Sequence, residues 1–262
     1  MPSQPPTPPM DLAHWLELEK IEGFSFAAEQ WTECEYEKDA LLEALGREIT
    51  TNYADREWLE RRLRTMGYER LAEHVRHTVL PSPGNTRTGD FGEIVATLLL
   101  RRLKEFFVPV LRLRYKDSPD ATQRLLDIVA FKFRDPPTRT LVAISEVKTR
   151  TGSAPGIGAE AASQLEAAEK DLPLSLSFMD RRLNAEGKHW LADRVVALLD
   201  PDAKFDLEKH VFVVTDADAL HADTLKRITH IDLTASLVLV KDLAKLIADA
   251  YESAGRLRDL TG

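Results

Sequence analysis

The sequence has 262 residues, of which 44% are hydrophobic and 30% charged, enough for one large α/β domain with or without a helical attachment and too few for two full-sized ones. A formal charge of −8 argues against a protein that grips nucleic acid over its whole surface, so any such contact is local or assisted by a partner. The single cysteine, Cys34, excludes an internal disulfide and a cysteine-built zinc cage, and the longest apolar runs, such as Leu98 to Leu100, fall far short of the roughly 20 residues that a bilayer demands.

Residues 1–11 begin MPSQPPTPPM, a Pro-rich stretch expected to be a mobile tail rather than a secretion signal, which makes the cytoplasm the expected compartment. Residues 12–88 are expected to form a helical N-terminal portion, because Glu, Leu, Trp and Arg recur there with helical spacing, as in Trp58, Leu59, Leu63, Met66 and Leu71. The run PSPGNTRTG, Pro81 to Gly89, breaks that pattern and marks the best boundary in the chain. A helix is expected over about residues 90–107, opened by Asp90 and carrying Ile94, Leu98, Leu99 and Phe106 on overlapping faces.

Three strands are expected next: Val108 to Tyr115, where apolar and basic residues alternate, then Arg124 to Phe133 and Thr140 to Lys148, whose apolar runs suit strands covered on both faces. The turn sequences KDSPD and RDPPT between them imply a meander. A helical insertion follows over about residues 158–200, including a helix from Ala159 to Lys170. Two more strands, His210 to Thr215 and Ile228 to Leu233, precede a last helix in KDLAKLIADAYESAG. The expected class is α/β, a mixed sheet flanked by helices.

The chemistry concentrates in LLDIVAF and ISEVKTR. Asp127 lies in the first, and Glu146 and Lys148 lie in the second. Charged groups within apolar strands are costly unless paired or bound to a metal. Residues two apart on a strand face the same side, so Glu146 and Lys148 share a face, and Asp127 joins them if the two strands pair. Neighbouring carboxylates repel, and a hard divalent cation bound through oxygen relieves this, most often Mg²⁺, with Mn²⁺ able to substitute. Such a centre suits phosphodiester hydrolysis: Asp127 and Glu146 would hold the ion, Lys148 would orient water or neutralise developing charge, and Glu93 near the start of the preceding helix would add a carboxylate.

The order Glu93, Asp127, Glu146-Val147-Lys148 on helix, strand and strand resembles the PD-(D/E)XK nuclease superfamily, although Leu126 stands where the family has proline. That resemblance implies a restriction-endonuclease-like core within residues 89–262, Mg²⁺ at Asp127 and Glu146, and a catalytic lysine at Lys148. More narrowly, GDFGEIVATLLL, LRLRYKDSPDATQRLLDIVAF and ISEVKTR resemble the HamA-type nuclease subunit of the bacterial Hachiman antiphage system. This narrower resemblance implies DNA as substrate and a helicase partner, which unwinds or loads DNA while the nuclease is held in check. A partner that grips the DNA would also explain the acidic net charge.

Plainer readings stand beside these. Asp127 could pair with Arg124, and Glu146 with Lys148 could be an ordinary ion pair. Arg101, Arg102, Lys104, Arg112, Arg114 and Lys116 form a basic cluster opposed only by Glu105, either a DNA contact through Arg112, Arg114 and Lys116 or a solvated helix end and strand face. Gln164 and Glu160, at the start of the helix after Lys148, could touch substrate or simply be exposed. His74 and His77 share a helix face but lack further ligands nearby, which favours a solvated or dipole-facing role. Neither common nucleotide-binding fingerprint occurs, so no nucleotide cofactor is expected. A repair or restriction nuclease of the same fold, or a non-catalytic adaptor, are the alternatives in function.

Overall fold

Six apolar segments pair into one mixed sheet: β1 (Leu16–Ile21), β2 (Ala27–Glu33), β3 (Ile128–Lys132), β4 (Thr140–Arg150), β5 (Phe205–Asp216) and β6 (Thr234–Val240). The strand order is β1-β2-β6-β5-β4-β3. The inner pairs β2–β6, β6–β5 and β5–β4 are parallel and the outer pairs β1–β2 and β3–β4 antiparallel. The computed structural model describes residues 11–53, 56–77, 79–116, 118, 120, 125–134, 139–153, 155–217 and 224–261, apart from the side chains of 13, 56–59, 74–77 and 259–261.

Helices cover both faces, as a sheet with parallel inner strands requires. They are α1 (Lys38–Tyr53), α2 (Arg56–Thr65), α3 (Glu69–His77), α4 (Asn85–Arg102), α5 (Ile157–Glu169), α6 (Leu172–Ala185), α7 (His189–Val196) and α8 (Leu243–Thr261). One core joins Leu45 and Ile49 of α1, Val95 and Leu99 of α4 and Ile247 of α8 to Val147 and Phe212 of the sheet. The other joins Leu165 of α5, Leu176 and Met179 of α6 and Val195 of α7 to Ile144 and Val213. Both are dominated by fully buried aliphatic and aromatic side chains. The α/β class expected from the sequence is the one observed, and no helix among the described residues is long and apolar enough to cross a membrane.

Four expectations need correction. Residues 16–33 are not helical: they form β1 and β2, which pair into the same sheet as the later strands. β1, LELEKI, is an edge strand with four consecutive exposed residues, and the charges that protect such an edge from unwanted pairing also give it a helix-like composition. The alternating segment Val108 to Tyr115 is not a strand; Phe107 makes one isolated bridge to Phe131, and Arg112–Tyr115 is a 3-10 turn with Leu113 buried beneath it. The last strand runs over Thr234–Val240 rather than 228–233. Finally, α4 begins five residues before Asp90, behind Gly84 at φ 135°, a backbone state that glycine adopts readily.

Candidate functional site

The β3–β4 hairpin pairs Ile128 with Ser145. One residue further along that antiparallel register sets Asp127, just ahead of β3, opposite Glu146. The backbone confirms the approach, since the Val147 amide donates to Asp127 Oδ2 at 2.9 Å. Up to Ser145, β4 is buried on both faces, and from Glu146 onward its exposure alternates. The strand thus leaves the core where its charged residues begin, with Glu146 and Lys148 on the α5 side and Val147 in the opposite core.

Glu93 arrives from α4, which can lie this close to β4 only because residue 92 is glycine. A Cβ at Gly92 would sit 1.8 Å from Thr149 Oγ1 and 3.2 Å from both Thr149 Cβ and Val147 Cγ1. Glu93 and Asp127 are then bridged by Arg112, whose Nη2 donates to Glu93 Oε1 at 2.5 Å and to Asp127 Oδ1 at 2.7 Å while Nη1 donates to the Leu125 carbonyl at 2.9 Å. Lys148 Nζ donates to Glu146 Oε1 at 3.0 Å and also to Gln164 Oε1 on α5. Gln164 Nε2 donates in turn to Glu160 at 3.3 Å. All four residues of the sequence motif therefore meet, and Gln164, although exposed, is tied to the lysine rather than left idle on its helix face. The plain Glu146–Lys148 ion pair is also present, as part of the same network.

Four of the six cations between Arg101 and Lys116 pair with acids. Arg112 serves Glu93 and Asp127, Lys116 Nζ lies 2.6 Å from Asp90, Lys104 Nζ 2.7 Å from Glu29, and Arg101 3.8 Å from Glu48. Arg114 instead donates to the Thr51 carbonyl at 2.8 Å, and Arg102 is exposed. Arg112 and Lys116 thus fasten the 3-10 turn to two acids one helical turn apart on α4, a role that the alternating sequence did not suggest. Lys132 lies over the Phe106 ring at 4.5 Å, and Arg150 is exposed. Arg124 and the side chains of His74 and His77 lie outside the described residues.

Three carboxylates here face two cations, so full ionisation would leave one negative charge in excess inside a centre whose side chains are each less than a fifth exposed. Burial, partly offset by Arg112 and reinforced by Asp127 and Asp90, pushes Glu93 up to about 8. Burial and then Asp127 push Glu146 up, against the pull of Lys148. Burial lowers the Arg112 guanidinium, but Glu93 and Asp127 more than reverse this and hold it charged. Raised carboxylate values mean that the folded chain binds protons the unfolded chain releases. The stability these groups contribute is complete below about pH 4.5 and is lost as pH rises toward about 8. Without metal, the melting temperature is expected to fall between about pH 6 and pH 8.5, with Glu93→Gln flattening the fall; thermal melts in chelator check this, and a rise over that window would refute it.

Among the described residues no three acidic, His or Cys side chains converge as a ready-made metal cage. The donors nevertheless fit a hard divalent cation in kind: all are carboxylate oxygens, they outnumber the cations that face them, and Mg²⁺ characteristically binds through one or two carboxylates while keeping several waters. Asp127 and Glu146 would hold it. Compared with known protein families, residues 12–254 match HamA. The chain belongs to the HamA family. Membership makes it a protein related to Hachiman antiphage defence, a system of more than one protein. A comparison with curated proteins finds no match.

Proposed function

We propose that this HamA-family chain is a metal-dependent deoxyribonuclease of the PD-(D/E)XK type, acting in antiphage defence with a helicase partner. The observation that carries the reading is the Glu146-Val147-Lys148 segment emerging from the core beside Asp127, with the Val147 amide locked to Asp127 at 2.9 Å. Asp127 and Glu146 would hold the divalent cation, which when bound would supply Lewis acidity toward the scissile phosphate and activate water. Lys148, positioned by Glu146 and Gln164, donates to the attacking water or to the charge that develops on phosphate oxygens. Glu93 acts through Arg112, fixing the guanidinium that faces Asp127. A recess beside Arg112 and Asp127 is lined by Val110, Leu126, Phe178 and Met179.

The net charge of −8 and the pairing of most of the basic cluster with internal acids favour a chain that relies on a partner for its hold on DNA. The test is cleavage of labelled DNA in Mg²⁺ or Mn²⁺, with the isolated chain and with any complex recovered from the native host. Cleavage that requires the cation and a helicase in the complex are expected. A chain inert with both ions, alone and in complex, and with a melting temperature indifferent to them, is the result that would favour the adaptor reading.

A further inference from the structure

Arg112 stands where a second cation would otherwise be needed. Its guanidinium is only 11% exposed, and its Nη2 alone spans Glu93 Oε1 and Asp127 Oδ1. The hold on the Leu125 carbonyl by Nη1 fixes the plane of the fork. Asp127 is therefore engaged on both oxygens, Oδ1 by Arg112 and Oδ2 by the Val147 amide. The Val147 contact is part of the hairpin and has no cause to change when an ion arrives. The Arg112 contact does, because a guanidinium and a divalent cation attract the same carboxylate and repel each other at short range.

We infer that Arg112 is an internal counter-cation that occupies Asp127 Oδ1 in competition with the metal, so that it sets the metal affinity of the centre. This rests on the reading of Asp127 and Glu146 as metal ligands. In the metal-free chain the arginine keeps Glu93 and Asp127 from repelling each other and holds the site together. A metal held by Asp127 and Glu146 would compete with Nη2 for Asp127 Oδ1, while the guanidinium would keep its pairing with Glu93. A bound divalent cation would add two positive charges beside Arg112 and Lys148. A phosphodiester carries a single negative charge, so the loaded site would attract it more strongly than the unloaded one.

Two measurements on the full-length chain test this, Mn²⁺ binding by calorimetry and melting temperature with and without Mn²⁺, for the wild type, Arg112→Gln, Arg112→Lys and Glu146→Ala. Arg112→Gln removes the competing charge, so Mn²⁺ is expected to bind about tenfold or more tightly. The same variant melts lower than the wild type without metal and recovers more on adding it. Arg112→Lys keeps a charge but loses the planar fork that ties the Leu125 carbonyl to the two carboxylates, so a smaller gain in the same direction is expected, and this variant decides the matter if Arg112→Gln does not fold. Equal or weaker Mn²⁺ binding in the arginine variants, with wild-type binding abolished by Glu146→Ala, overturns the competition while leaving the metal site intact. Wild-type chain that binds no Mn²⁺, or binds it equally well in Glu146→Ala, overturns the metal site and this inference with it.

Discussion

Gly92→Ala is expected to lower the melting temperature by roughly 3–10 °C, since overpacking a tight contact costs about 1–3 kcal/mol and each kcal/mol moves a chain of this size by about 2–4 °C. The added methyl would meet Thr149 Oγ1 at 1.8 Å, and rotating that hydroxyl away does not clear Thr149 Cβ or Val147 Cγ1, both at 3.2 Å. The helix must lift from the strand, and Glu93, the next residue, lifts with it. Thr149 Oγ1 has no hydrogen-bond partner among the described residues, so Thr149→Ala removes the nearest obstacle without breaking a bond, while the 3.2 Å contacts with Cβ of residue 149 and with Val147 Cγ1 remain. The double variant Gly92→Ala, Thr149→Ala should recover part of the loss. Thermal melts of the three variants check this, and a Gly92→Ala chain as stable as the wild type would show that α4 does not depend on this close approach.

Lys148→Ala is expected to slow DNA cleavage by about 10²- to 10³-fold, the effect of removing one donor aimed at developing charge, while leaving Mn²⁺ binding in place or tightening it. The lysine is a cation beside the carboxylates and not a ligand, so its removal separates chemistry from metal loading. Lys148 is only 19% exposed and its loss leaves Glu146, 12% exposed, without its cation, so a lower melting temperature is expected beside the kinetic effect. Cleavage rates and calorimetry on the same preparation give the two readouts. Loss of Mn²⁺ binding together with cleavage would mean that Lys148 organises the site rather than serving the reaction.

The parts of this molecule that follow from short-range pattern were legible in the sequence. Asp127 and the pair Glu146 and Lys148 stood out because charge inside an apolar strand is rare, and the two-residue spacing put the pair on one face before any pairing was known. The helix of Glu93 was visible from its periodicity, though not its first turn. What could not be read was set by pairing across the chain. The Glu-rich composition of β1 and β2 masks the Leu16, Leu18 alternation and reads as helix, and their place in the sheet depends on β6, some two hundred residues later. Arg112 looked like a strand residue facing DNA, whereas the alternation VPVLRLRY serves a 3-10 turn that presents Arg112 and Lys116 to Glu93 and Asp90. Spacing offered one usable signal: Asp90 and Glu93 are three apart on a helix and Arg112 and Lys116 four apart, a match of two acids to two cations. Gly92 gave no local sign of its role, because a close approach involves the other partner as much as the glycine.

Glu146 and Lys148, in the half of β4 that leaves the core, are central to the proposed chemistry. The most direct measurement is the rate at which the chain cuts labelled DNA in Mg²⁺, in its isolated form and in its native complex, for the wild type beside Glu146→Ala. Cleavage by the wild type that drops to background in Glu146→Ala is the predicted result; an unchanged rate in that variant would contradict it.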